Sequence, residues 1–215
     1  MRIRNLIPIA SGVYNYVVLL ILASIVSFAF GLSVLGYTSA CMLLFVLFFF
    51  RDPKRRIPPG DNIIVSPADG KIFCIENVYE GTFLQSKATR IVIVLSLFNV
   101  HINRSPIDGV VKYKKYFHGK FIPVFKDHFC DKNERNSIGI EHTNGVKILV
   151  NQITGFLTRR IVCNARKNSS LALGEKYGMI KFGSCVELFV PTNTTLKVST
   201  GDRVKALSSI IGVMN

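Results

Sequence analysis

From Asn5 to Phe50 the chain carries no charged residue, and apolar side chains fill most positions. The run exceeds the about 20 residues that one bilayer crossing needs. It breaks at Gly31-Leu-Ser-Val-Leu-Gly36, and so predicts two short helices, near Tyr14–Phe30 and Leu35–Phe50. Arg2 and Arg4 precede the pair; Arg51, Lys54, Arg55 and Arg56 follow it. Positive charge on both outer flanks, with none between, predicts a helical membrane hairpin whose two ends face the cytoplasm. A shallow re-entrant hairpin is the variant that such short helices leave open. A cleaved signal peptide fits less well, because a second apolar stretch follows directly behind the poor cleavage motif Ser27-Phe28-Ala29. Pro53, Pro58, Pro59 and Gly60 then interrupt regular structure. The expected organisation is an anchor over 1–50, a linker over 51–60 and a folded domain over 61–215.

Within that domain the pattern changes to short β-type runs rich in Val, Ile, Phe and Tyr and separated by turn residues. They are Ile63–Ser66, Lys71–Val78, Arg90–Phe98, Val110–Phe117, Ile138–His142 and Val146–Ile153, followed by Arg160–Cys163, Cys185–Val190 and Leu196–Ser199. Thr143-Asn144-Gly145 between two of these runs is a strong hairpin signal. No helical period of convincing length appears. The expected class is mainly β, a sandwich or partly closed barrel, with helix confined to the anchor.

Charge changes the picture next. The net charge is +14, and residues 51–215 hold 25 of the 27 Lys+Arg and all 13 Asp+Glu, giving 25 − 13 = +12. A basic domain beside a membrane points to anionic lipid as neighbour or substrate. Nucleic acid ranks below it, since no compact basic run with interleaved aromatics follows residue 60. The five cysteines, 41, 74, 130, 163 and 185, are widely spaced and form no C-x-x-C. That argues against a disulfide framework and a thiolate zinc site, and points to reduced thiols. His118, His128 and His142 lack metal-ligand spacing, so no metal is expected.

Phe182-Gly183-Ser184-Cys185 lies directly before a β-type run. A Gly-Ser pair alone is most often a turn, and the hydrolase G-x-S-x-G elbow is absent. The context is more specific. Phe50-Arg51-Asp52-Pro53, Ser66-Pro67-Ala68-Asp69-Gly70, Val100-His101-Ile102-Asn103-Arg104 and His118-Gly119-Lys120-Phe121 occur in that order. Asn133-Glu134-Arg135-Asn136, Thr158-Arg159-Arg160-Ile161 and the run from Gly174 to Ser184 follow. Together these segments resemble the short branch of the pyruvoyl-dependent phosphatidylserine decarboxylases, over essentially the whole chain.

The resemblance implies a precursor that cuts itself between Gly183 and Ser184. The Ser184 hydroxyl would attack the Gly183 carbonyl, turning amide into ester; elimination and hydrolysis would leave a covalent pyruvoyl group at position 184. Gly183, without a Cβ, suits close approach at its carbonyl. The pyruvoyl carbonyl would form a Schiff base with phosphatidylserine and act as electron sink while carbon dioxide leaves. Phosphatidylethanolamine would be the product, chains 1–183 and 184–215 would remain together as a heterodimer, and the enzyme would sit on the cytoplasmic side of the cell membrane. His101 is the expected proton carrier, for self-cleavage or for decarboxylation, and Asp69 is expected to orient it as in a Ser-His-Asp arrangement. Arg104, Arg159 and Arg160 are candidates for the lipid phosphate. The sequence departs from the branch at Cys185, where Arg commonly follows the cleavage serine. Arg104 also stands where the longer branch carries a second histidine.

The sequence also fits two other readings. Ser66–Gly70 and Gly201-Asp202-Arg203-Val204 resemble lipoyl-like β folds, which suits either a lipoyl-like hybrid decarboxylase core or a tethered carrier domain. A carrier needs a modifiable lysine at a hairpin tip, and neither Lys197 nor Lys205 has that context. A basic anchored module that binds lipid without chemistry is the other.

Overall fold

The computed structural model describes residue 9 and residues 13–123, 129–156, 161–180 and 184–215. The chain divides into two compact units, Met1–Lys54 and Arg55–Asn215.

The first unit holds two helices, α1 (Tyr14–Ala29) and α2 (Ser33–Phe49). Gly31 turns the chain between them with a φ of 73°, and Leu32 N–H closes onto Ser27 O at 2.8 Å. Gly36 lets the helices meet, since a Cβ there would lie 2.7 Å from the Phe28 ring. The expected helix pair is therefore present, but its expected crossing of the membrane is not supported. At 16 and 17 residues the helices extend about 24 and 26 Å, against a hydrocarbon core of about 30 Å. Among the described residues no helix is long and apolar enough to cross a membrane. The basic flank at Arg2 and Arg4 lies outside the described residues.

The second unit is mainly β. Its strands are β1 (Ile63–Val65), β2 (Gly70–Glu80), β3 (Ser86–Leu95), β4 (Ile102–Arg104) and β5 (Gly109–Phe117). After a one-turn helix, α3 (Phe129–Lys132), come β6 (Arg135–Glu141), β7 (Lys147–Thr154), β8 (Ile161–Cys163), β9 (Ser170–Leu171) and β10 (Lys176–Ile180). The last are β11 (Ser184–Pro191), β12 (Thr195–Leu196), β13 (Arg203–Val204) and β14 (Ile210–Val213). Helix is thus not confined to the N-terminal unit, although α3 spans only 4 residues. A curled eight-stranded sheet runs β13-β2-β3-β11-β7-β6-β5-β9, beside two three-stranded sheets, β1-β14-β12 and β4-β10-β8. The Asn144-Gly145 hairpin forms as expected: Gly145 takes a φ of 85° and His142 N–H bonds Val146 O at 2.9 Å.

β11 is the strand that positions the site. It lies between β3 and β7, antiparallel to both, and its residues from Ser184 to Val190 are all buried. Alternation sends Val186, Leu188 and Val190 into the main core with Ile91, Ile93, Ile148 and Val150. Cys185 goes to the opposite face with Val92, Cys130 and Ile153. Burying such aliphatic side chains stabilises the fold by about 1.5–3 kcal/mol each, so the start of β11 is fixed by its own strand.

Candidate active site

Ser184 opens β11, opposite Leu95 of β3 on one side and Thr154 of β7 on the other. It is fully buried, and its Oγ has no hydrogen-bond partner among the described residues. A buried hydroxyl left this way costs about 1–3 kcal/mol, so it calls for a functional explanation. Gly183 lies outside the described residues.

His101 reaches the same region through the backbone. β3 stops at Leu95, and a tight turn follows, in which Asn99 Oδ1 accepts from both Ser96 N–H and Ser96 Oγ at 2.8 Å. The chain then returns as β4, paired with β10. Ile180 N–H donates to His101 O at 3.2 Å. Since Ile180 and Ser184 are four residues apart, chain geometry alone keeps their Cα atoms within about 14 Å. The imidazole is 1% exposed.

Asp69 sits at the same end of the sheet, because Lys71 pairs with Val94, which in turn pairs with Cys185. Its carboxylate is held on both oxygens. Oδ1 accepts from Ala206 N–H at 2.8 Å, and Oδ2 accepts from the Arg55 guanidinium at 2.7 Å. Both side chains of that ion pair are only 8% exposed. Arg55 also donates to Ala206 O at 2.9 Å. Asp69 thus belongs to a buried Arg55–Asp69–Ala206 cluster. Nothing in the sequence of a proline-rich stretch marks Arg55 for that role.

Arg104 is buried and donates to Gly174 O at 3.1 Å. Strand alternation puts it on the opposite face of β4 from Asn103. Arg159 and Arg160 lie outside the described residues, as does His128. His118 packs edge-on against the Tyr116 ring, and His142 Nε2 lies 3.5 Å from Asp108. Among the described residues no group of His, Cys, Asp or Glu forms a metal site. Cys185 lies with its Sγ 3.9 Å from that of Cys130, and burial first, then that neighbour, pushes its thiol pKa well up.

The structure adds residues that the sequence reading passed over. Gln152 of β7 donates from Nε2 to Asn103 Oδ1 at 2.8 Å and accepts at Oε1 from Asn136 Nδ2 at 3.0 Å. Asn103 and Gln152 are fully buried, and Asn136 is 2% exposed. Thr154 Oγ1 donates to Glu134 O at 3.1 Å beside Ser184. Asn103 and Asn136 lie in segments that carry the family resemblance, without a role of their own there, and the only sequence signal for Gln152 and Thr154 is polar character inside an apolar strand.

Comparison with known proteins follows the same lines. A family model described as "Phosphatidylserine decarboxylase" matches residues 42–212. The chain is 44% identical to the phosphatidylserine decarboxylase proenzyme of Carboxydothermus hydrogenoformans, over 91% of this chain and 89% of that one. It is 42% identical to the proenzyme of Wolbachia sp. subsp. Brugia malayi, over 94% and 87%. With the proenzyme of Geotalea uraniireducens the identity is 38% over 100% of both chains.

Proposed function

Because this chain belongs to the phosphatidylserine decarboxylase family, we propose that it matures by cutting its own backbone between Gly183 and Ser184. The reaction it catalyses is that of a carboxy-lyase, converting phosphatidylserine to phosphatidylethanolamine and carbon dioxide. The observation that carries the cleavage site is the buried Ser184 Oγ at the head of the central strand, without a hydrogen-bond partner among the described residues.

In the proposed cleavage Ser184 Oγ adds to the Gly183 carbonyl carbon. The peptide C–N bond breaks as the ester forms, and the hydroxyl proton ends on the Ser184 nitrogen. Loss of the Ser184 Cα proton then expels Gly183 as a carboxylate. Water replaces the nitrogen, which leaves as ammonia, and position 184 becomes a pyruvoyl group. That group supplies a carbonyl able to condense with the lipid amine and to accept the electrons freed with carbon dioxide. His101, tied through Ile180 to the segment before the cut, is the proposed proton carrier. Asp69 acts through Arg55 and Ala206 as a positioning residue for its end of the sheet. The shorter chain would keep all of β11, β12, β13 and β14, whose ladders do not involve the severed bond. That supports a stable pair of chains after cleavage.

We also propose attachment to a membrane through the first unit, lying in one leaflet or re-entering it. Exposed Leu19, Leu22, Ile25, Leu35 and Leu44 support this. The basic residues Arg51, Lys54 and Arg56 suit an anionic, cytoplasmic face. A reporter fused after Arg56 should be cytoplasmic, and a periplasmic one would refute the orientation. For the function itself, the wild-type chain should separate into two bands on a denaturing gel and release carbon dioxide from phosphatidylserine. Ser184→Ala should give one band and no release; an active, uncut Ser184→Ala protein would overturn the reading.

A further inference from the structure

The buried amide chain beside Ser184 ends in a donor with no partner among the described residues. Its polarity is fixed. Gln152 Nε2 lies 3.4 Å from Val162 O, a carbonyl that can only accept. Gln152 therefore offers N–H to Asn103 Oδ1, and Asn103 is left presenting its NH2 group. Asn103 is fully buried, and Nδ2 has no partner among the described residues. Gly178, opposite Asn103, makes room for this arrangement, since a Cβ there would lie 2.8 Å from Gln152 Nε2 and 2.3 Å from Val162 O.

The donor belongs to the reacting end of the sheet. Gln152 pairs with Val186, while Ser184 pairs with Thr154. Gln152 and Ser184 are therefore diagonal neighbours on one face, with Cβ atoms about 7 Å apart. Just before β4, His101 O accepts from Ile180 N–H, and within β4 Asn103 pairs with Gly178. His101 and Asn103 are two residues apart, so their Cα atoms lie within about 7 Å of each other. Ser184 and His101 are themselves closed to solvent. A headgroup whose amine reaches position 184 must enter this same enclosed patch.

We propose that the Asn103 amide binds the carboxylate of the phosphatidylserine headgroup. The inference rests on the decarboxylase reading and extends it to substrate selection. The carboxylate is the acceptor carried on the same carbon as the reacting amine, so it accompanies that amine into the patch. The phosphate is held farther along the headgroup. A neutral amide orients the carboxylate for departure without the full positive charge that would favour the bound ground state over the transition state.

Phosphatidylethanolamine is the built-in control, being the same headgroup without the carboxylate. Asn103→Asp keeps the acceptor for Gln152 and replaces the donor by a second acceptor; Asn103→Ala removes both. Each full-length variant is first checked by intact mass for self-cleavage, which should be complete. Dihexanoyl phosphatidylserine and dihexanoyl phosphatidylethanolamine are then trapped separately with cyanoborohydride on the 32-residue chain (215 − 183), again read by mass. In both variants the phosphatidylserine concentration for half-maximal trapping should rise about tenfold or more, while that for phosphatidylethanolamine stays within about twofold. An equal rise for both lipids would make Asn103 merely structural, and no rise for either would also overturn the proposal. Loss of cleavage in both variants would overturn it too, assigning the amide to maturation or folding. Failure of the wild-type protein to trap either lipid would instead sink the decarboxylase reading on which this one stands.

Discussion

The sheet formed by β2, β3, β11 and β7 ends in two contrasting ways. At one end Glu80 is 6% exposed and every demand it makes is met. It accepts from the N–H groups of Thr82, Phe83 and Leu84 at 2.7, 2.9 and 2.7 Å, and from the Thr82 hydroxyl. Burial alone would raise its pKa, but these hydrogen bonds win and hold it below the ordinary carboxylate value. At the other end Ser184 Oγ and Asn103 Nδ2 are buried with no partner among the described residues. Glu80 and Ser184 are both buried in the same sheet, so burial alone does not account for the difference. A satisfied buried acid stabilises a turn; unsatisfied buried groups cost stability and are kept where chemistry needs them.

Substitutions at the two ends should therefore fail differently. The largest effect is expected for Ser184→Ala, which should abolish cleavage and turnover while leaving thermal stability unchanged or raised, because the chain stays uncut and the missing hydroxyl made no hydrogen bond among the described residues. A large drop in Tm would show that the hydroxyl was a structural group after all. His101→Ala should slow cleavage, lipid turnover or both by about 10²–10⁴-fold, the usual contribution of a general acid or base. Single-turnover assays on pre-cleaved protein separate the two steps, and unchanged rates for both would remove His101 from the site. Breaking the buried ion pair with Asp69→Ala or Arg55→Ala should lower stability by about 3–5 kcal/mol in denaturant titrations. The double variant should be less damaged than the sum of the two, and strict additivity would contradict the pairing.

Glu80→Gln should be milder still, costing about 2 kcal/mol and leaving the cleavage rate alone. Its pH signature is specific. A carboxylate whose folded pKa lies below the unfolded value near 4.3 contributes stability above that value and loses it as pH falls through the folded pKa. Wild-type stability should thus fall more steeply than that of Glu80→Gln below about pH 4.3. Parallel curves would mean that the Glu80 hydrogen bonds do not favour its charged form.

What could be read from the sequence follows the same physical division. β11 was legible because Val186, Leu188 and Val190 alternate with residues that are also buried, giving a continuous apolar run. The helix pair was legible from its charge-free stretch, whereas crossing depends on length, and the turn around Gly31 leaves each helix too short. β4 was not legible: Ile102-Asn103-Arg104 has no apolar run and is a strand only because β10 pairs with it. Ser184, His101 and Asp69 were nameable by their motifs, but the partner of Asp69 was not. Arg55 lies 14 residues away across a proline-rich stretch, and the Gln152–Asn103 bond joins residues 49 apart. Contacts of that kind are set by sheet order, which local pattern does not encode.

The central claim is that Ser184 becomes the blocked end of a second chain, and intact mass of the purified wild-type protein tests it most directly. The proposed reaction takes up one water and releases one ammonia, so the two chain masses should sum to about 1 Da above the uncut chain, against about 18 Da for simple hydrolysis. The account predicts chains of 183 and 32 residues, the shorter refractory to amino-terminal sequencing. A catalytically active protein that remains one chain of 215 residues, or a 32-residue chain with a free serine amine, would contradict it.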